Sequence, residues 1–260
     1  MLARILGPDH LQFGGVMNSI YAIGDVHGHL DKLDQALDWM ERDGGKDAPI
    51  VFVGDLVDRG PDSRGVIQRV IDAQAQGRDW TVVKGNHDRM FEWFLQSPPQ
   101  HDPHLMVGMS WLHERLGGLE TLASYGVDVT PMQTRLSQAH SDALAAVPAT
   151  HQRFLRDLPL FHVLGNVLFV HAGIRYDRDL HAQTENDLLW LRQDLKIAPD
   201  RIAWRYLVHG HTPIAQPKQT GQIINIDGGA AFGRVLSPIV IEDDGVFVLS
   251  ERGREAICGE

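Results

Sequence analysis

Carboxylates, imidazoles and arginines recur in this 260-residue chain at the ends of short apolar runs. The densest case is Gly85-Asn86-His87-Asp88, which follows Thr81-Val82-Val83. The Asn86 amide oxygen can ligate a cation, and the His87 imidazole can hand a proton to a leaving group. Asp25 and His27 lie two apart in Gly24-Asp25-Val26-His27-Gly28, and in extended backbone such a pair points to one side. Asp55, Asp58 and Arg59 share Gly54-Asp55-Leu56-Val57-Asp58-Arg59-Gly60-Pro61, His171 opens His171-Ala172-Gly173, and His209 and His211 flank a glycine ahead of Thr212-Pro213. Any one of these matches is also a plain polar turn, an Asx turn at Asp25 or a capped loop at Asn86. Together they make a nitrogen and oxygen ligand set without thiolate, which suits Mn²⁺, Fe²⁺, Zn²⁺ or Co²⁺. Six such ligands with one shared carboxylate can hold two divalent metal ions roughly 3.5–4 Å apart. Arg59 and Arg192 can then grip phosphate oxygens bidentately.

Ligands this scattered converge only if each sits at the end of a strand in one sheet edge. The chain supplies such strands. Ser19 to Ile23, Ile50 to Val53 and Thr81 to Val83 are short apolar runs that read as buried strands. Between them, Leu30, Leu33, Leu37 and Met40, then Val66, Ile67, Val70 and Ile71, fall at helical spacing. This order predicts a βαβαβ run and a largely parallel sheet. The alternation stops from Arg89 to Pro159, where Met90 to Leu95, Trp111 to Tyr125, Leu136 to Val147 and His151 to Leu158 read as helices of an insertion. His101 and His104 read as solvated loop residues there. Val167 to Val170, Leu207-Val208, Ile223 to Ile226, Ser237 to Glu242 and Val246 to Ser250 restore the strand pattern, the last two joined by a hairpin turn at Asp243-Asp244-Gly245. Residues 1–18 read as an irregular lead-in. The whole of 1–260 reads as one catalytic domain with a helical insertion at about 89–159.

Bulk properties narrow the class. A formal net charge of −10 works against general affinity for nucleic acid or anionic membrane. The single cysteine, Cys258, permits no intrachain disulfide. No segment reaches the ~20 apolar residues of a membrane span. The expectation is a cytoplasmic protein with no nucleic-acid and no membrane partner.

The glycine-flanked clusters Gly24-Asp25-x-His27-Gly28, Gly54-Asp55-x-Val57-Asp58-Arg59-Gly60 and Gly85-Asn86-His87-Asp88 resemble the three signature motifs of the phosphoprotein phosphatase (PPP) family of calcineurin-like metallophosphoesterases. His171-Ala172-Gly173 and Gly210-His211-Thr212 resemble its later histidine motifs, and the likeness is nearest to the small bacterial and bacteriophage branch. The resemblance implies an α/β fold, a metallophosphoesterase-type sandwich of two mixed β-sheets flanked by helices. It implies that Asp25 and His27 bind one ion, that Asp55 bridges, and that Asn86, His171 and His211 bind a second ion. His87 becomes the general acid oriented by Asp58, with Arg59 and Arg192 on the phosphoryl group. His209 is left as a supporting or core histidine. The implied enzyme is a metal-dependent phosphatase using two divalent metal ions, manganese first and Fe, Zn or Co as alternatives, with direct attack by a shared hydroxide. A phosphorylated protein or a small phosphate ester is its substrate. A Ser/Thr protein phosphatase is the leading expectation, since the acidic Asp58 is untypical of the dinucleotide hydrolases. A symmetrical diadenosine tetraphosphate hydrolase is the alternative. A catalytically silent phosphoprotein-binding module is the alternative of another class, and it should lack a ligand or the acid, neither of which is missing.

Overall fold

The computed structural model describes residues 19–130, 133–192 and 202–259, and the lead-in expected over 1–18 lies outside them. The N-terminal half runs β1 (Ile20–Ile23), α1 (Leu30–Arg42), β2 (Ile50–Phe52), α2 (Ser63–Ala75) and β3 (Trp80–Val82). β1 pairs with β2 and β2 with β3, all parallel, as the apolar runs predict. Strand alternation decides what each face meets. Tyr21, Ile23, Ile50 and Phe52 pack against Leu33, Leu37, Met40, Val66, Ile67 and Val70 of α1 and α2. Ile20, Ala22, Val51 and Val53 point the other way.

The insertion is helical, with α3 (Asn86–Phe94), α4 (Gly118–Ser124), α5 (Leu136–Ala146) and α6 (Ala149–Asp157). Its apolar residues Trp111, Leu122, Tyr125, Ala139 and Leu155 join the same core as α1 and α2, so it extends the helical layer on that face of the sheet. The helix expected from Trp111 starts only at Gly118. Gly117 stands at φ 87°, and a Cβ there would come within 2.1 Å of the Arg59 nitrogen. Left-handed glycine and close backbone contact end one path and begin the next.

The second half adds β4 (Phe161–Leu164), β5 (Val167–Val170), α7 (Glu185–Trp190), β6 (Tyr206–His209), β7 (Lys218–Thr220), β8 (Ile223–Asn225), β9 (Ile239–Glu242), β10 (Gly245–Ser250), β11 (Gly253–Ala256) and β12 (Cys258–Gly259). Two six-stranded sheets result, ordered β11-β10-β9-β1-β2-β3 and β12-β7-β8-β6-β5-β4. β5, β6 and β8 are parallel neighbours, while β9 and β10 form the expected hairpin antiparallel to β1. Ile20, Val51, Val83, Phe169, Val208, Ile224 and Ile239 form an apolar layer shared by both sheets. The fold is therefore the expected α/β sandwich of two mixed sheets flanked by helices. Each sheet contains one parallel triplet, and the chemistry-bearing residues follow the carboxyl ends of both triplets. Among the described residues, no helix is long and apolar enough to cross a membrane.

Candidate metal centre and its cavity

Six strand ends supply the site. Asp25 and His27 follow β1, Asp55 to Arg59 follow β2, Asn86 and His87 open α3 after β3, and His171 follows β5. His211 follows β6 and Asp227 follows β8. The loops are bound to one another before any ligand is considered. His27 N and Val26 N donate to Asp55 O at 2.9 and 3.1 Å, and Gly28 N donates to Leu56 O at 2.8 Å. The buried Asp88 carboxylate accepts from the backbone nitrogens of Asp55, Leu56 and Gly85, each at 2.9 Å. A Cβ on Gly85 would lie 2.1 Å from Asp55 Oδ1, and one on Gly210 would lie 2.0 Å from Asp25 Oδ1. Only glycine lets those backbones approach the carboxylates.

All of the described non-glycine residues with positive φ belong to this region: His27 (48°), Asp55 (52°), Asp58 (74°), Arg59 (69°) and His211 (64°). Left-handed backbone is disfavoured for side-chain-bearing residues and gathers at functional sites. Here it turns consecutive side chains of one loop into the same space.

The side chains converge. His27 Nδ1 donates to Val57 O at 2.8 Å, and its Nε2 lies 3.6 Å from Asp55 Oδ2. His171 Nδ1 donates to Val53 O at 2.8 Å, and its Nε2 lies 3.5 Å from Asp55 Oδ1. Backbone carbonyls thus set both tautomers and turn a lone pair inward. His171 Nε2 is 2.9 Å from Asn86 Oδ1. Two acceptors so close are reconciled by a cation. His211 Nδ1 also reaches Asn86 Oδ1, at 3.0 Å. The potential ligand atoms of His27, Asp55 and His87 lie within 4.8 Å of one another, as do those of Asp25, Asp55 and His171, so Asp55 belongs to both groups. Burial raises the Asp25 carboxyl well above its ordinary range, with Asp227 and Asp55 adding repulsion. Burial also drives His27 well down, helped by Arg59. Crowded buried carboxylates beside neutral imidazoles form a donor set that two divalent cations fit.

His87 stands next to this cluster. Its backbone nitrogen, at the start of α3, donates to Asp55 Oδ1 at 2.9 Å, and its Nδ1 donates to Asp58 Oδ2 at 2.6 Å. Asp58 accepts two further bonds, from Trp111 Nε1 at 2.8 Å and from Thr121 Oγ1 at 2.7 Å. Three donors on one buried group mark it as a carboxylate acceptor, although burial pushes it up to about 7. A carboxylate beside an imidazole favours the charged imidazolium. Burial outweighs that, and with Arg59 nearby it holds His87 down at about 3. Arg59 Nη2 lies 3.0 Å from His87 Nε2, and Nη1 lies 2.6 Å from His27 Nε2. In this arrangement His87 carries its proton on Nδ1 and accepts from Arg59 on Nε2.

A cavity of about 360 Å³ opens above the cluster. Asp25, Asp55, Arg59, Asn86, His87, Arg192 and His211 line it, together with Asp227. His27 and His171 sit beneath, buried. Asp58 is buried behind His87. The structure therefore brings together every residue that the sequence singled out for this chemistry. Arg192 is at the exposed edge. His209 is elsewhere: it is buried, its Nδ1 meets Gly210 O at 3.0 Å, and burial lowers it to about 4. His101 is exposed and does not line the cavity. His104 is exposed in its loop, as expected, and it also lines the cavity. Asp227, Asp88, Trp111 and Thr121 were not singled out. Asp227 carried the usable signal, an acid after an apolar strand and before Gly228-Gly229.

A fold of two mixed sheets with acids and imidazoles at facing strand ends defines a metallophosphoesterase. The calcineurin-like phosphoesterase profile matches residues 19–234, and the chain belongs to that family. It is 30% identical over 240 residues to a protein of Bacillus velezensis named bis(5'-nucleosyl)-tetraphosphatase PrpE [asymmetrical], covering 83% of this chain and 86% of the relative. Among solved structures it resembles one titled a putative diadenosine tetraphosphatase, with a TM-score of 0.57, 20% identity and coverage of 90% and 95%. It also resembles the cold-active protein-tyrosine phosphatase of a Shewanella species, with a TM-score of 0.64, 18% identity and coverage of 94% and 81%. At those identities the two structures bear on the fold alone. The alternative expected from the sequence was a symmetrical hydrolase, whereas this relative's name specifies asymmetrical cleavage.

Proposed function

We propose that this chain hydrolyses a bis(5'-nucleosyl) polyphosphate asymmetrically, using two divalent metal ions, manganese first, held by the strand-end cluster. The observation that carries the hydrolytic site is Asp55, whose carboxylate lies 3.6 Å from His27 Nε2 on one oxygen and 3.5 Å from His171 Nε2 on the other. Asp25, His27 and Asp55 would hold one ion, and Asp55, Asn86, His171 and His211 the other. When bound, the ions supply Lewis-acid charge against the phosphoryl oxygens and bring the pKa of a water towards neutrality. Arg59 and Arg192, on the cavity wall, orient the phosphoryl group through paired N–H donors. Phosphate oxygens draw the Arg59 guanidinium from His87 Nε2. That nitrogen, unprotonated in this arrangement, is then open to take up a proton from solvent, and the imidazolium so formed, paired with Asp58 through Nδ1, gives that proton to the leaving oxygen and returns to the neutral ring. The nucleotide substrate is supported by the name of the relative and by the non-metal side of the cavity, where Leu105, Met106, Leu116, Trp190 and Phe232 offer apolar and aromatic surface.

A second reading, the Ser/Thr phosphoprotein phosphatase, is favoured by the 2.6 Å Asp58–His87 contact, because an alkoxide leaving group needs a well-held proton donor. Turnover of diadenosine tetraphosphate and a phosphoserine peptide by Mn²⁺-loaded protein separates the two. The proposal expects faster turnover of the dinucleotide, yielding ATP and AMP. Faster release of phosphate from the peptide would replace it with the second reading, and two ADP per dinucleotide would restore the symmetrical hydrolase.

A further inference from the structure

One wall of the cavity is an aromatic stack that the metal chemistry does not use. The rings of His104 and Trp190 lie 5.1 Å apart and 10° from parallel. Trp190 in turn meets His211 edge-on, at 6.0 Å. His104 belongs to the insertion and Trp190 ends α7, so the stack joins distant parts of the chain. A single buried carboxylate fixes both rings. Asp102 Oδ1 accepts from His104 N at 3.0 Å and from His104 Nδ1 at 3.2 Å, and Oδ2 accepts from Trp190 Nε1 at 3.2 Å. Arg89, fully buried on α3, donates to the same Oδ2 through Nη2 at 2.7 Å and Nε at 3.2 Å. Its Nη1 donates to Asn186 Oδ1 at 2.9 Å, in the helix that carries Trp190. Thr184 and Asp187 cap that helix reciprocally.

A buried ion pair is costly to desolvate, and this one shares its carboxylate with both rings, so the bonds that satisfy it also hold the rings in place. The indole covers one face of the imidazole, yet the His104 side chain remains 35% exposed, at the cavity. An aromatic ring backed on one face, tethered through its nitrogen and partly exposed to a phosphate-binding cavity is suited to stack a base. Resting on the phosphoesterase reading above, we infer that His104, backed by Trp190, stacks the base of a nucleoside whose phosphate lies at Arg59 and Arg192. Two ring-to-ring steps through Trp190, 6.0 and 5.1 Å, connect His211 to His104, and both histidines line the same cavity as Arg59 and Arg192. Arg89 and Asp102 are positioning residues that touch no substrate.

The test is binding of AMP, ribose 5-phosphate and phenyl phosphate to the whole metal-free protein, by calorimetry. AMP should bind about tenfold tighter than ribose 5-phosphate, the scale of one base stacked on an aromatic ring. His104→Ala should erase that preference while ribose 5-phosphate binding changes little, and His104→Phe should keep most of it. Asp102→Asn should weaken AMP binding in part, with an unchanged circular-dichroism spectrum as its control for folding. Equal binding of AMP and ribose 5-phosphate by the parent protein overturns the platform. So does a base preference that survives His104→Ala. Phenyl phosphate binding tighter than AMP overturns the nucleobase assignment in favour of a phosphotyrosine-like ring. Because no turnover is read, a protein that proved inactive on every phosphate ester would sink the hydrolase reading and leave this result standing.

Discussion

The floor and the rim of the cavity are built on different principles. The floor consists of loops that leave parallel strands of both sheets, and its side chains reach their positions through left-handed backbone and contacts that only glycine allows. The rim consists of the insertion and α7, and its side chains are positioned by long-range pairs such as Arg89 with Asp102 and Trp111 with Asp58. The floor presents acids, imidazoles and an amide; the rim presents Leu105, Met106, Leu116 and Trp190. In a hydrolase the first set decides whether the reaction happens, and the second decides on what. Loss of a metal-ligating residue of the floor should therefore fall on all substrates alike, whereas loss of the proton donor His87, or of the rim residues that hold it, should depend on the leaving group.

Removing the metal should have the largest effect. Chelation should abolish hydrolysis of every ester, and Mn²⁺ should restore it. Asp55→Asn should bind fewer than two ions per chain by elemental analysis, because the variant loses the charge that both imidazoles face. Full turnover by metal-free protein would mean that the floor works by some other chemistry. His87→Asn comes next. It should lower kcat on a phosphoserine peptide or a dinucleotide by roughly 10²–10⁴-fold, the range of general acid catalysis. The loss on a nitrophenyl phosphate, whose leaving group needs no proton, should be clearly smaller, and metal content should be unchanged. Equal losses on both would assign His87 to the floor in its electrostatics, with the proton coming from elsewhere.

Arg59 tests the boundary between the two regions. Its guanidinium touches the floor at His27 and His87, and its backbone nitrogen donates to Gly117 O of the insertion at 3.2 Å. Arg59→Ala should raise KM and lower kcat, together costing about 10²-fold in kcat/KM, since a phosphate group loses a charged bidentate partner. Metal content should stay the same. Metal loss in this variant would make Arg59 a structural part of the floor.

The two regions also differ in how far they could be read from sequence. Asp25, Asp55, Asn86 and His171 each follow an apolar run, so strand period and position alone locate them at strand ends; the expected single sheet edge is in fact two, since β5 lies in the second sheet, and periodicity does not say which strands share a sheet. Asp227 obeys the same rule after Ile223 to Ile226 and was equally legible. The rim obeys no such rule. Asp102 meets Trp190 across 88 residues and Trp111 meets Asp58 across 53, and periodicity within a segment says nothing about such partners. His104 is the exposed loop residue it reads as, but its place on the cavity wall against Trp190 was hidden for that reason. The left-handed turns at Asp55, Asp58 and Arg59 were invisible too, because their side chains predict ordinary backbone and tertiary contacts override it.

The smallest effect expected is from Trp111→Phe, and it separates a rim residue that acts through the floor from one that only packs. Trp111 stacks on Phe91 at 5.2 Å and lies tilted against Phe94 at 4.8 Å, so phenylalanine keeps much of the apolar contact and should cost little stability. What it removes is the 2.8 Å bond from Nε1 to Asp58 Oδ2. A hydrogen bond to a charged group contributes ~1.5–3 kcal/mol. Thr121 and His87 still donate to Asp58, so the loss in kcat on a phosphoserine peptide should be nearer tenfold. The sign of its pH dependence follows from Asp58. Burial already raises that carboxyl to about 7, and deleting a donor to the charged form raises it further. The variant's Asp58 is then less ionised at pH 6 than at pH 8, so its deficit should be larger at pH 6 and narrow as pH rises. Nitrophenyl phosphate turnover should show little of this. A deficit that is flat with pH and equal on both substrates would mean that Trp111 supports the fold of the insertion and has no part in orienting the acid.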